Sequence, residues 1–103
     1  MKIDLEKRVS VVASLDEIVE LSKKYLNDDS IKQLKSAFDL YAIFIDDGDE
    51  SVEIRLIDMI NRLIVTIPKR IDRLSDLKAP QSVIDSEKLV LEIVQKIKED
   101  NQK

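Results

Sequence analysis

The chain has neither cysteine nor histidine. Without cysteine it can form no disulfide, no thiolate metal site and no cysteine nucleophile, and this absence fits a reducing compartment. Without histidine it lacks the commonest general base and the commonest metal ligand. We therefore expect a protein that is not an enzyme and that carries no cofactor and no metal.

Glycine, proline and aromatic residues are scarce. The 103 residues include one Gly, two Pro and four aromatic side chains, although 44% of the residues are apolar. So little turn-forming material favours a few long helices over many short strands. A chain of this length can bury one core, here built mainly from Ile, Leu and Val. The composition predicts a single all-α domain over residues 1–103.

Long hydrophobic runs are also missing, and no stretch approaches the roughly 20 apolar residues that cross a bilayer. The first residues carry charge where a signal peptide would be apolar. With 17 basic and 21 acidic residues the net charge is −4, and this disfavours binding to nucleic acid, whose affinity comes largely from phosphate neutralisation. We expect a cytoplasmic protein with no membrane span and no nucleic-acid partner.

The most apolar stretch runs from Val52 to Leu74 and predicts a central helix. Its apolar side chains recur at helical spacing over one broad face, wide enough to need cover from more than one side. Pro68 lies inside this pattern, and proline either kinks a helix or begins a new one. Because the pattern continues in phase through Ile71, we favour a kink.

Polar breaks separate the central helix from its neighbours. We predict helices from about 15 to 26, 31 to 46 and 81 to 99, with a capping box at Ser14 and Glu17 opening the first. Gly48 is placed to end the helix of residues 31–46. We expect this second helix to pack directly on the central helix. Residues 1–13 fit either a helix or a strand. Together these elements predict a four-helix up-and-down antiparallel bundle with a kinked third helix.

The central helix carries a basic ridge, which we define as Arg55, Arg62, Lys69 and Arg73. These residues fall on one line, and Ile54 and Val65 lie near it, opposite the main apolar face. The ridge is either a solvated face that pairs with neighbouring carboxylates or a docking site for an acidic partner. If it docks a partner, these six residues are the candidate binding site.

One acidic pattern has a catalytic interpretation. Glu17-x-x-Glu20-Leu21, followed by Asp39-Leu40-Tyr41, resembles the metal-binding signature of the MazG-type all-α NTP pyrophosphohydrolases. The resemblance implies that Glu17, Glu20 and Asp39 would hold Mg²⁺, which prefers carboxylate oxygens. Ser36 stands where that family has a further glutamate. The alternative function is therefore a degenerate magnesium-dependent nucleotide hydrolase.

The preferred hypothesis is a small interaction protein that binds a protein partner or itself as a homodimer. Apolar residues spread widely around the third and fourth predicted helices, and surplus apolar surface often marks an interface. The segments N-D-D-S-I-K-Q-L at 27–34 and E-S-V-E-I-R-L at 50–56 resemble segments of helical bacteriocin-immunity proteins, to which the chain is similar in size and layout. A phage or complex-subunit role fits the same pattern.

Overall fold

The computed structural model describes residues 4–45 and 53–101 and is mostly helical, as the sequence predicts. The elements in chain order are β1 (Arg8–Ser10), α1 (Val11–Ser22), α2 (Asp28–Ile45), β2 (Glu53–Arg55), α3 (Leu56–Asp76) and α4 (Gln81–Asn101). The four helices confirm the all-α prediction in broad terms. The small antiparallel sheet of β1 and β2 was not predicted. The expected helix end at Gly48 lies outside the described residues.

The N-terminal segment is part strand and part helix. Ser10 caps α1, because its side-chain oxygen accepts a hydrogen bond from the amide of Ala13 at 3.1 Å. The predicted capping box at Ser14 is therefore wrong. Ser14 lies within the helix, fully buried, and its hydroxyl donates to the carbonyl of Val11. Pairing with β2 holds residues 8–10 extended, so the helix begins at Val11.

The predicted central helix begins later than expected, because residues 53–55 form β2. Arg8 lies opposite Arg55 and Val9 opposite Ile54. Alternation along a strand turns Ile54 into the core, where it is only 7% exposed, and leaves Glu53 and Arg55 exposed. The prediction that Ile54 lies on the outer face of a helix is therefore wrong.

Helix α3 runs without interruption from Leu56 through Pro68 to Asp76. It therefore does not end at the proline; the predicted kink stays a prediction. Five apolar side chains of the predicted face are buried: Leu56, Met59, Ile60, Leu63 and Ile67. They pack chiefly on α4, whose buried face includes Val90, Ile93, Val94 and Ile97.

Helix α2 packs mainly on α1 and α4. We expected it to lie directly against the central helix; its main neighbours are instead α1 and α4, and it contacts α3 at Tyr41, whose ring lies beside the Arg70 guanidinium. Its buried residues include Leu34 and Phe38, which belong to the same core as α3. Among the described helices, none is long and apolar enough to cross a membrane.

One buried polar cluster joins three helices. Glu87 of α4 is 6% exposed, and its carboxylate accepts hydrogen bonds from the hydroxyl of Tyr41 on α2 and from Nη2 of Arg70 on α3, the latter at 2.9 Å. The Arg70 guanidinium also lies over the Tyr41 ring, 4.5 Å from its centroid. A buried carboxylate needs partners, and here the partners of Glu87 come from α2 and α3, so the cluster links the three helices.

Candidate functional site

An open groove of about 660 Å³ lies where the sheet meets the N-terminal half of α3. Strand alternation places Arg8 and Arg55 opposite each other on the exposed side of the sheet. On α3, positions 58, 61, 62 and 65 share one face at helical spacing. The groove is lined by Arg8, Glu53, Ile54, Arg55, Asp58, Asn61, Arg62, Val65 and Thr66.

Arg55 is fully engaged by carboxylates. Its Nε and Nη2 donate to the two oxygens of Asp58 at 2.8 and 3.0 Å, and its Nη1 donates to Glu6 at 2.7 Å. The hydrogen bonds from Arg55 hold the pKa of the Asp58 carboxyl below its ordinary value. Arg55 therefore links the N-terminal segment to the start of α3, and its charge is neutralised within the chain.

Arg8 and Arg62 differ from Arg55. The charges of both lower the pKa of Asp58, so both lie within electrostatic reach of it. Both are exposed, and neither forms an ion pair with a residue of the described ranges. The lining of the groove therefore holds three arginines against two carboxylates, Glu53 and Asp58, although the whole chain is acidic.

Asn61 lines the same groove and carries an unsatisfied group. Its Oδ1 is buried and accepts no hydrogen bond within the described part of the chain. A buried oxygen left without a donor costs about 1–3 kcal/mol, and an oxygen at the wall of an open groove can accept a hydrogen bond from water or from a bound molecule. Beside it Val65 is 61% exposed, a large apolar side chain without cover.

Four of the six predicted binding residues line the groove, and the other two lie outside it. Arg55, Arg62 and Val65 line it with exposed side chains, and Ile54 lines it although its side chain packs in the core. Lys69 and Arg73 are exposed on α3 but do not line the groove.

Five residues that line the groove were not among the predicted binding residues: Arg8, Glu53, Asp58, Asn61 and Thr66. A strand interpretation of residues 8–10 would have turned Arg8 outward. Nothing in the sequence indicated that this strand pairs with residues 53–55. Without that pairing, Arg8 could not be placed beside α3.

The structure does not gather the acidic residues of the catalytic alternative into a site. Glu17 pairs with Lys7 and Glu20 with Lys23, each at 2.9 Å, and Asp39 is exposed on α2. Across residues 4–45 and 53–101, no three acidic side chains are placed to hold a metal ion.

A second, smaller groove of about 170 Å³ lies between α2 and α4. Small side chains line much of it, including Ser36, Ala37, Ser82 and Ser86. Leu40 stands at this groove with 58% of its surface exposed, and Val83 lies beside it, also exposed. This groove is an apolar surface without the positive charge of the first.

The first groove offers binding groups: guanidinium charges, an amide, a hydroxyl and an exposed valine. Guanidinium groups stay protonated and do not act as general bases. Such a surface can hold carboxylates and main-chain groups of another molecule. Comparison of the chain with protein-family models, with curated proteins and with solved structures found no match.

Proposed function

We propose that this chain is a small non-enzymatic interaction protein that binds a protein partner in the groove between the sheet and α3. One observation carries the proposal: Arg8 and Arg62, which pair with no carboxylate of the described ranges, stand at a groove that also exposes Val65. Arginine beside an apolar contact is enriched at protein interfaces. The groove also holds Asn61, whose buried oxygen has no donor among the residues that the structure describes.

The same proposal takes the four helices to be an up-and-down bundle with a bend in α3 near Pro68. Support comes from the short connection at residues 77–80 and from the packing of α3 on α4 and of α1 on α2, as antiparallel neighbours require. Such a bundle would hold the groove on rigid elements. The binding surface would then need little ordering when a partner arrives.

The test compares two charge reversals. Arg62→Glu inverts a groove charge, and Lys32→Glu makes the same change on an exposed residue of α2, away from the groove. We expect proteins that co-purify with the wild-type chain also to co-purify with Lys32→Glu and to be lost with Arg62→Glu. Circular dichroism should show both variants folded. Retention of the same proteins by Arg62→Glu would overturn the proposal.

A second candidate is self-association through the groove between α2 and α4. Leu40 and Val83 favour it, since both expose large apolar side chains beside a depression lined by small ones. Light scattering over a range of concentrations measures the mass. A dimer that dissociates in Leu40→Ser but not in Leu77→Ser would support it. Leu77, at the end of α3 and 69% exposed, is the matched control.

A further inference from the structure

We propose that the partner presents an extended acidic segment, which adds as a third strand to the free edge of β2 and places its carboxylates against Arg8 and Arg62. This inference rests on the proposed function and names the chemistry of the ligand. Three features of the groove support it: the state of the strand edge, the placement of unpaired charge, and the length of the groove.

The first feature is the edge of β2. In the observed register Lys7 lies opposite Leu56, and the Leu56 amide donates to the Lys7 carbonyl at 2.9 Å. Hydrogen-bonded and non-hydrogen-bonded pairs alternate in an antiparallel ladder. The main-chain groups of Glu53 and Arg55 therefore point away from β1. No other strand of the described chain pairs with β2, so this edge can accept an added strand.

The second feature is charge. The exposed side of the sheet and the adjoining face of α3 present Arg8 and Arg62, which form no ion pair within residues 4–45 and 53–101. Beside them lie Glu53 and Asp58, and Arg55 already pairs with Asp58. A strand added to β2 would turn alternate side chains to this side of the sheet. Carboxylates at those alternate positions would face a groove in which three arginines outnumber two carboxylates, whereas lysines there would add like charge.

The third feature is size. The groove follows the three residues of β2 and then about two turns of α3, from Asp58 to Thr66. At about 3.3 Å per strand residue and 1.5 Å per helix residue this is roughly 20 Å. An extended segment of about six residues spans that distance. Val65, exposed along this path, offers an apolar contact.

The experiment uses synthetic peptides of about six residues, blocked at both ends, carrying a fluorophore and alternating valine with glutamate. Fluorescence anisotropy measures their affinity for the full chain. We expect binding that weakens with added salt, and at least about tenfold weaker binding when lysine replaces glutamate. Equal affinity for the two peptides, or no binding of the acidic one, would overturn the inference.

N-methylation tests strand addition separately from charge. Successive N–H groups of an extended peptide point in opposite directions. Two peptides are therefore compared, one methylated on the odd-numbered amides and the other on the even-numbered amides. One register blocks the hydrogen bonds to β2, and the other leaves them intact. We expect one methylated peptide to bind about tenfold more weakly and the other to bind like the parent. Equal affinity in both registers would overturn the added strand.

Variants locate the site. Arg62→Glu and Arg8→Glu should each lower the affinity for the acidic peptide about tenfold. Lys32→Glu should leave that affinity unchanged. The double variant Arg8→Glu/Arg62→Glu should prefer the lysine peptide. These outcomes separate the inference from the proposed function. If the wild-type chain retained co-purifying proteins that Arg62→Glu lost, but bound no acidic peptide, the groove would still be a docking site, and its ligand would not be an acidic strand.

Discussion

At the scale of single residues, Asn61 is the side chain whose structural and functional demands conflict. Its buried Oδ1 has no donor within the described residues, and removing an unsatisfied buried polar atom stabilises a fold. We predict that Asn61→Leu raises the free energy of unfolding by about 1 kcal/mol and lowers the affinity of the chain for the acidic peptide. Urea unfolding and peptide anisotropy measure the two effects.

The control for this prediction is Val65→Ala at the neighbouring position of the groove. It removes an exposed apolar contact and leaves no buried polar atom unpaired, so its effect on stability should be small. A loss of stability in Asn61→Leu comparable to a core truncation would show that the amide is structural and that its oxygen is not a binding group.

The two tyrosines differ in what surrounds their carboxylate partners. The hydroxyl of Tyr41 donates to Glu87, which is buried, and that of Tyr25 donates to Asp100, which is exposed. We predict that Tyr41→Phe lowers the free energy of unfolding by about 1–3 kcal/mol, because a buried carboxylate oxygen loses its donor. Tyr25→Phe, the matched control, should cost less than about 1 kcal/mol, since water can replace the hydroxyl.

Urea unfolding of both variants decides between these expectations. Equal losses of stability would mean that burial of Glu87 does not determine the cost, and that Arg70 alone satisfies the carboxylate. A near-zero cost for Tyr41→Phe would mean that the hydrogen bond from Tyr41 contributes nothing to stability at the contact of the three helices.

At the scale of elements, the end of α3 is unusual because a lysine stands where glycine is common. Lys78 has φ 55°, the left-handed region that disfavours residues with a Cβ. The amide of Ala79 donates to Leu74 and that of Lys78 to Ser75, at 2.9 and 3.1 Å, the two hydrogen bonds of a Schellman ending. We predict that Lys78→Gly raises the free energy of unfolding by about 1 kcal/mol.

Lys88→Gly is the contrasting control, since Lys88 is exposed within α4. There the same substitution should lower stability by about 1 kcal/mol, because glycine is a poor helix former. Thermal unfolding of both variants measures the opposite signs. A destabilised Lys78→Gly would show that the lysine side chain makes a contact that outweighs the backbone strain.

The helices could be predicted from sequence where their apolar spacing was sustained. The buried face of α3 from Leu56 to Ile67 emerged because about three turns of helical periodicity outweigh local ambiguity. The break at 77–80 emerged because Pro80 and its neighbours interrupt that periodicity. Both signals are local in sequence.

The strands could not be predicted in this way. Each strand has three residues. In so short a segment, the alternation of a strand cannot be distinguished from the spacing of a helix. Their pairing also joins segments far apart in the chain, so no local propensity encodes it. The capping error has the same origin: Ser10 and Ser14 are both chemically competent caps, and the choice between them depends on where β1 pairs.

The candidate site was therefore predicted in part. The ridge on α3 was visible because it follows one helix, and Arg62 and Val65 lie on it. Arg8 was not, because it reaches the groove only through the sheet. The contact of Arg55 with Glu6 also joins segments far apart in the chain. No spacing rule distinguishes Arg55 from Arg62, which forms no ion pair within the described ranges.

At the scale of the whole molecule, the tyrosines predict how stability depends on pH. The hydrogen bond to Asp100 is the largest cause that raises the pKa of Tyr25, to about 12 from an ordinary 10.0. Burial, followed by the hydrogen bond to Glu87, raises the pKa of Tyr41 further. The folded chain therefore holds protons that the unfolded chain releases above pH 10.0, and the stability they contribute is full below that pH and falls as pH rises above it.

The measurement is direct because the chain has two tyrosines and no tryptophan. Tyrosinate absorbance of the unfolded chain in urea should rise near the ordinary pKa of 10.0, and that of the native chain only at higher pH. Tyr41→Phe should leave one late transition, from Tyr25 near pH 12, and should flatten the alkaline loss of stability. If both tyrosines of the folded chain titrated near 10.0, neither hydroxyl would be hydrogen-bonded to its carboxylate. The contacts of Tyr25 with Asp100 and of Tyr41 with Glu87 would then not persist in solution.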